Sequence, residues 1–206
     1  MIIDPAKLSR RESYNFLVSA IAPRPIAFVT SMNREKVVNA APFSFFNAVS
    51  GSPPIIMISA GRKEGAMKHT TENILSRKEF VVNLVTEDLV HSMNVASADF
   101  PSDVSEVEFA KLTLLPSEVV SVPRIGESHL NCECVFTQHL LIGNATDLIL
   151  GEIVRYHIQD EFLMDGKLDQ EKFRPVARMG GNFYSRSSDL FELERFKYEG
   201  KKGGKS

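Results

Sequence analysis

Several common features are missing or scarce in this chain of 206 residues, and each absence narrows the field. No apolar run approaches the roughly 20 residues of a membrane span. The opening "MIIDPAKLSRRESYNF" has no h-region of a signal peptide, so a cytoplasmic protein is expected. Neither sign of charge dominates: the formal net charge is -2, which leaves no basic field for nucleic acid. The dense basic patch is the tail "KYEGKKGGKS" (Lys197 to Ser206), read as a solvated end. Cysteine is scarce. Cys132 and Cys134 sit in "LNCECVF", on one face if the segment is a strand. With His129 they would make three candidate ligands, an incomplete zinc set at a spacing that fits no standard module. Small buried or half-buried thiols are the favoured reading. Asn144-Ala145-Thr146 fits a glycosylation sequon, but without secretion it reads as a turn.

The usual catalytic engines are also lacking. There is no G-x-G-x-x-G, no G-x-x-x-x-G-K-[ST] and no G-x-S-x-G. The five histidines are scattered, and none forms an H-x-x-x-H pair. An enzyme of this composition would leave the hard chemistry to a bound cofactor. Internal repeats, heptads, low-complexity blocks and a Pro/Gly-rich linker are missing as well.

Strand-like segments are abundant. "PIAFVTSM" (Pro25 to Met32), "PPIIMISA" (Pro53 to Ala60), "EFVVNLV" (Glu79 to Val85), "LNCECVFTQHLLIG" (Leu130 to Gly143) and "LILGEIVRYHIQ" (Leu148 to Gln159) are β-branched or aromatic and bounded by turn residues. "GNATD" (Gly143 to Asp147) joins the last two as a hairpin. Two helices are expected. Thr70 to Lys78 has a Thr start, an early Glu and a basic end. Glu87 to Ser97 places Leu89, Met93 and Ala96 on one apolar face. The economical reading is one β-dominated domain, a closed or partly closed barrel with inserted helices over residues 1–190, followed by an extension at 191–206.

Two stretches carry the functional argument. "SAGRKEGAMKHTTENI" (Ser59 to Ile74) runs from a strand end into a helix start and offers Arg62, Lys63, Lys68, His69, Thr70 and Thr71. Unpaired helix-start amides with hydroxyls and a cation make a phosphate site; a basic loop before an ordinary Thr N-cap is the plainer alternative. "NAAPFSFFNAVSGSPP" (Asn39 to Pro54) mixes Ser and Asn with Phe43, Phe45 and Phe46. Such a backbone can wall a flat heteroaromatic ring, with polar groups at the ring edge. In an extended strand Phe43 and Phe45 would point one way and Phe46 the other, and all three in the core is the competing reading.

"RPIAFVTS", "NAAPFSFFNAVSGSPPIIMIS", "KHTTENI" and "EFVVNLV" follow one another at close intervals. That succession resembles the flavin reductase-like family of FMN-binding split-barrel proteins, which includes the flavoredoxins. It covers roughly Tyr14 to Tyr184. The resemblance implies a mainly β fold, a split β-barrel of antiparallel strands in Greek-key order with peripheral helices. It also implies a homodimer that binds FMN near the subunit interface, with NADH or NADPH as electron donor. By the same resemblance Ala41, Pro42, Phe43, Ser44 and Phe45 would run along the isoalloxazine, with Ser44 the side-chain contact. Ser59 and Arg62 would lie near the ribityl phosphate. Lys68, Thr70 and Thr71 match the family's phosphate segment, where His69 stands in place of a frequent Asp. Asn73 would brace the loop. "RMGGNFYSR" (Arg178 to Arg186) matches a Gly-rich segment whose Tyr184 would reach the flavin, from the same or the other subunit; a Gly-Gly turn before a core Tyr is the rival reading.

The expected reaction is hydride transfer from a nicotinamide to flavin N5, which needs proximity and orientation rather than an acid or base. His69 is the single candidate for proton transfer, and a solvent-exposed loop histidine is the simpler reading for it. Two rivals stand beside the reductase. One is a flavoredoxin-like electron carrier reduced by a redox protein partner. The other is a binding module that has lost its cofactor.

Overall fold

The computed structural model describes residues 1–101, 103–143 and 145–198. Asn144 of the sequon and residues 199–206 of the basic tail lie outside the described residues. Seven antiparallel strands form the main sheet: β1 (Ala27–Met32), β2 (Val38–Phe43), β3 (Phe46–Gly51), β4 (Pro54–Gly61), β5 (Glu79–Leu84), β6 (Leu130–Ile142) and β7 (Thr146–Ile158). Their spatial order is β2-β1-β5-β6-β7-β4-β3. β5, β6 and β7 lie side by side, and β4 returns to pair with β7, a Greek-key arrangement.

Closure follows from chain length. β2 and β3 are the two edges of this sheet, yet only Ser44 and Phe45 separate them. Flat, seven strands at ~4.8 Å would hold the edges about 29 Å apart. Three residue steps from Phe43 to Phe46 span at most about 11 Å. The sheet therefore curls until its edges meet, and the barrel reading holds.

Burial shows the same geometry. Every residue of β1 is buried. Ala27 and Val29 join Phe43, Ile58, Phe80, Val82, Cys132, Cys134 and Ile149 in one apolar cluster, the barrel interior. Phe28 and Met32, of opposite parity, join Leu89, Met93 and Val107 in a second cluster under the outer helices. Residues i and i+2 of a strand share a face, so β1 is sandwiched between two cores. Both cysteines are free thiols pointing inward, and burial pushes Cys132 up to about 12. Gly151 serves the interior too: a Cβ there would sit 2.5 Å from the Phe80 ring.

Helices α1 (Arg10–Ala20), α2 (His69–Arg77), α3 (Val90–Val95) and α4 (Glu106–Phe109) lie outside the sheet. α2 brings Ile74 into the barrel cluster. α3 is shorter than its apolar pattern suggested, but Leu89, Met93 and Ala96 are buried as that pattern required. Arg24 fastens α1 by donating to the carbonyls of Val18 and Ile21, and it also reaches Met179 O at 2.9 Å.

A long loop between α4 and β6 is pinned by buried polar groups. Asn83 receives the amide of Ile125 at 2.9 Å and donates to Phe28 O at 2.9 Å. Glu133, fully buried on the outward face of β6, accepts the amides of Glu118, Val119 and Val120 at 2.7, 2.7 and 2.9 Å, and Nε2–H of His157. Burial pushes this carboxyl upward, but the four donors outweigh it and hold Glu133 at about 2.

Candidate functional site

The start of α2 and the inner end of β2 form one wall of a 380 Å³ cleft. Ala41 and Pro42 supply an apolar face, and Lys68, His69 and Thr70 stand beside them. The segment just past α3, Ala96 to Phe100, closes the opposite side, with Glu106 below. Lys63 and Asp99 pair across the cleft at 2.8 Å, both well exposed.

The helix begins one residue earlier than the Thr start suggested. Lys68 is the N-cap and makes no side-chain cap hydrogen bond. Among the described residues no side chain is bonded to the first-turn amides of His69, Thr70 and Thr71, at the positive end of the helix dipole. Thr70 spends its hydroxyl proton on Asn39 Oδ1 at 2.7 Å, so it presents lone pairs, not a donor. Thr71 is fully buried outside the cleft lining, and its Oγ1 has no hydrogen-bond partner among the described residues. Uncapped amides and the Lys68 ammonium at the same turn suit an anionic phosphate.

Behind the turn lies a polar relay that the sequence did not announce. Asn39 accepts from Thr70 and donates to Glu106; Ala40 N–H meets the other Glu106 oxygen at 3.0 Å. Asn73 donates to Ser31 Oγ at 3.2 Å, which braces α2 on β1. Burial raises the Glu106 pKa, and the bonds from Ala40 and Asn39 offset part of that rise. Glu106 is separated from Asn39 by 67 positions, and only the fold brings them together.

The expected site residues occupy several neighbourhoods. Ala41, Pro42, Lys68 and Thr70 line the cleft, and Lys68 Nζ lies 5.8 Å from the Phe43 ring centre. Ser44 and Phe45 form the bend between β2 and β3, and Ser59 joins them there, its amide donating to Phe45 O at 2.8 Å. This bend breaks the strand alternation. Phe43 and Phe46 both meet the barrel cluster, while Phe45 stacks on Tyr14 of α1 at 6.5 Å. Arg62 turns instead to buried Asp147, with bonds of 2.8 and 3.0 Å, and His139 joins the same carboxylate at 2.8 Å. Tyr184 packs on the outer core and bonds Arg178, in a separate 790 Å³ cleft with Asn182, Glu87 and His91. α3 borders that cleft through Val90, His91 and Asn94. His69 is half-buried at the first helical position and not on a free loop.

Residues 19–176 match the model of the flavin reductase like domain. The chain belongs to that family. Its fold agrees with nitrilotriacetate monooxygenase component B from Bacillus cereus at a TM-score of 0.92, with 38% identity over 94% of this chain and 98% of that one. It is similar to the 2-nitrobenzoate 2-nitroreductase NbaA of Pseudomonas fluorescens at a TM-score of 0.89, with 31% identity over 98% of this chain and 100% of that one. A flavoredoxin of Desulfovibrio vulgaris (Miyazaki F) shares the fold at a TM-score of 0.71 and 21% identity, over 86% and 92% of the two chains. The split-barrel flavin reductase-like fold is thus established, and with it a flavin-related oxidoreductase role. Among the described residues no helix is long and apolar enough to cross a membrane, and no group of three His, Cys, Asp or Glu side chains could hold a metal ion.

Proposed function

We propose that this member of the family binds FMN in the cleft at the start of α2 and passes electrons to it from NADH or NADPH. The observation that carries this is the pairing, in one cleft, of an uncapped helix start beside Lys68 with an apolar wall at Ala41 and Pro42. The phosphate would be held by the amides of His69 to Thr71 and the Lys68 ammonium. Lys63 would give up its exposed pair with Asp99 at little cost, since water and salt screen such surface pairs. Ala41 and Pro42 would lie against the ring, with Phe43, Ser44 and Phe45 leading it toward the β2–β3 bend near Ser59. Bound flavin supplies a hydride acceptor at N5; the protein's own part is to orient the ring and keep one face open to the nicotinamide. No proton-transferring side chain is required.

The protein would act as a cytoplasmic homodimer. The support is apolar surface on α1, where Tyr14, Phe16 and Leu17 are about half exposed, at 57%, 56% and 48%. Tyr184 would then reach the flavin of the partner, since its own cleft is separate from that of Lys68.

An absorption spectrum of the purified protein tests the reading. FMN is added first, then NADH or NADPH under nitrogen. Flavin bands bleached by either nucleotide are expected. Bands that resist both but yield to a chemical reductant would transfer the role to an electron carrier fed by a redox protein. No uptake of FMN would sink the assignment.

A further inference from the structure

At the far end of the barrel the outer sheet face carries a second group of polar residues. Cys132 and Cys134 face the interior, so Asn131 and Glu133 face outward. The β6–β7 register sets His157 opposite Asn131. Arg124, from a two-strand hairpin in the long loop, hangs over the same spot and donates to Asn131 Oδ1 at 3.4 Å. Together they line a cleft of 410 Å³ that also takes in Leu115, Ser128 and His129.

Two facts make this cleft unusual. None of its lining residues is Asp or Glu. The nearby carboxylates are already engaged: Glu133 is saturated by three amides and His157, Glu118 pairs with Arg155, and Glu127 accepts the Thr113 amide. Arg124 is also the least satisfied of the half-buried or buried arginines. Arg24 and Arg77 meet carbonyls with at least one bond of 2.9 Å or less, and Arg62 meets a carboxylate at 2.8 Å. Arg124 has two long bonds, 3.3 Å to Pro116 O and 3.4 Å to Asn131. A guanidinium carries five donors, so three remain for the cleft. A half-buried cation whose only acceptors are two long, neutral ones gains from a bound oxyanion, which offers charged acceptors to its remaining donors.

We propose that this cleft is a binding site for a small oxyanion, carboxylate or phosphate, held in the fork of Arg124; Asn131, whose amide hydrogens go to Asn83 Oδ1 and Ile125 O, serves to position that fork. His157 donates Nε2–H to Glu133, which fixes its ring at the cleft wall, where it reports on the ligand without bonding it. The site is distinct from the Lys68 cleft. Thr146 of β7 pairs with Gly61 near that cleft and His157 pairs with Asn131 near this one, eleven positions apart (157 minus 146). At ~3.3 Å per residue the two ends are roughly 35 Å apart along the strand, beyond the reach of one phosphate group.

The test uses the full chain and two probes, inorganic phosphate and acetate, titrated while the His157 ring proton is followed by NMR. A saturable shift with a midpoint below about 10 mM is expected for at least one probe. Saturation by phosphate alone identifies a phosphoryl ligand, and by acetate alone a carboxylate. Arg124→Gln should weaken binding about tenfold or more, the worth of a charge-assisted hydrogen bond. If that variant does not fold, Arg124→Lys keeps the charge but not the fork and should weaken it about threefold. Lys68→Ala should leave the midpoint unchanged. No saturation with either probe overturns the proposal. So does a midpoint that ignores the Arg124 substitution, or one that moves with Lys68→Ala.

Discussion

Replacing Lys68 and Thr70 one at a time separates two ways of holding a phosphate. Lys68 is exposed at the cap of α2, so water screens its ammonium. A charge-assisted bond is worth about 1.5–3 kcal/mol, and screening places Lys68 at the lower end. Lys68→Ala should therefore weaken FMN about tenfold, since 1.4 kcal/mol is a factor of ten. The amides of His69 to Thr71 remain, so binding persists. Riboflavin, which has no phosphate, should change less than about twofold. Thr70→Val is expected to behave differently. Its hydroxyl proton already belongs to Asn39, so the phosphate loses no donor. The cost there is stability, about 1 kcal/mol for the lost hydrogen bond, with FMN and riboflavin affected alike. Fluorescence titration of both flavins against both variants reads these ratios. Equal losses of FMN and riboflavin in Lys68→Ala would refute the phosphate assignment. A selective loss of FMN in Thr70→Val would refute the hydroxyl orientation.

Glu133 titrates near 2 in the folded chain against 4.5 for a free carboxyl, a contribution of about 3 kcal/mol that is complete above pH 4.5 and fades as pH falls toward 2. Urea melts of wild type and Glu133→Gln should differ by about that amount at pH 7, by about half of it near pH 3, and converge only near pH 2 and below; a constant gap would contradict it. Gly151→Ala drives a methyl into the Phe80 ring and should cost about 1–3 kcal/mol in the same melts. Arg62→Leu strands buried Asp147 with His139 as its remaining side-chain partner and should lower the midpoint of the same melts. The FMN-to-riboflavin affinity ratio should not move with it; a change in that ratio would bring Arg62 back to the phosphate.

The β-rich architecture was legible because five strands are long β-branched runs with turn residues at their ends. β2 was harder to read, since Pro42 lies inside it; a sheet edge tolerates the missing N–H, and β2 is an edge. α1 escaped because most of its apolar side chains face outward and only Val18 is buried. Its signal was Ser9 and Glu12, a capping box in which the Ser9 amide meets the Glu12 carboxylate at 2.9 Å. The helix-start half of the site was visible as a cation and two threonines beside a strand end. The other half was not. Asn39, Glu106 and the segment after α3 come together through tertiary packing, which no local spacing records. Arg62 shows the converse: a basic residue in the expected loop was claimed by a carboxylate 85 positions away.

The two-residue passage from β2 to β3 places a seam in the barrel, where the edge strands meet without a ladder between them. Ala41 and Pro42, the apolar wall of the cleft, belong to one of those edges. A ring lying against that wall would act as a clasp across the weakest line of the sheet. Ligand binding adds stability by mass action, about 2.7 kcal/mol at a hundredfold excess over Kd, and here it would be felt first at the seam. Amide exchange in β2 and β3 should slow before that in β5 or β6, so that retention of the flavin and closure of the barrel become one event.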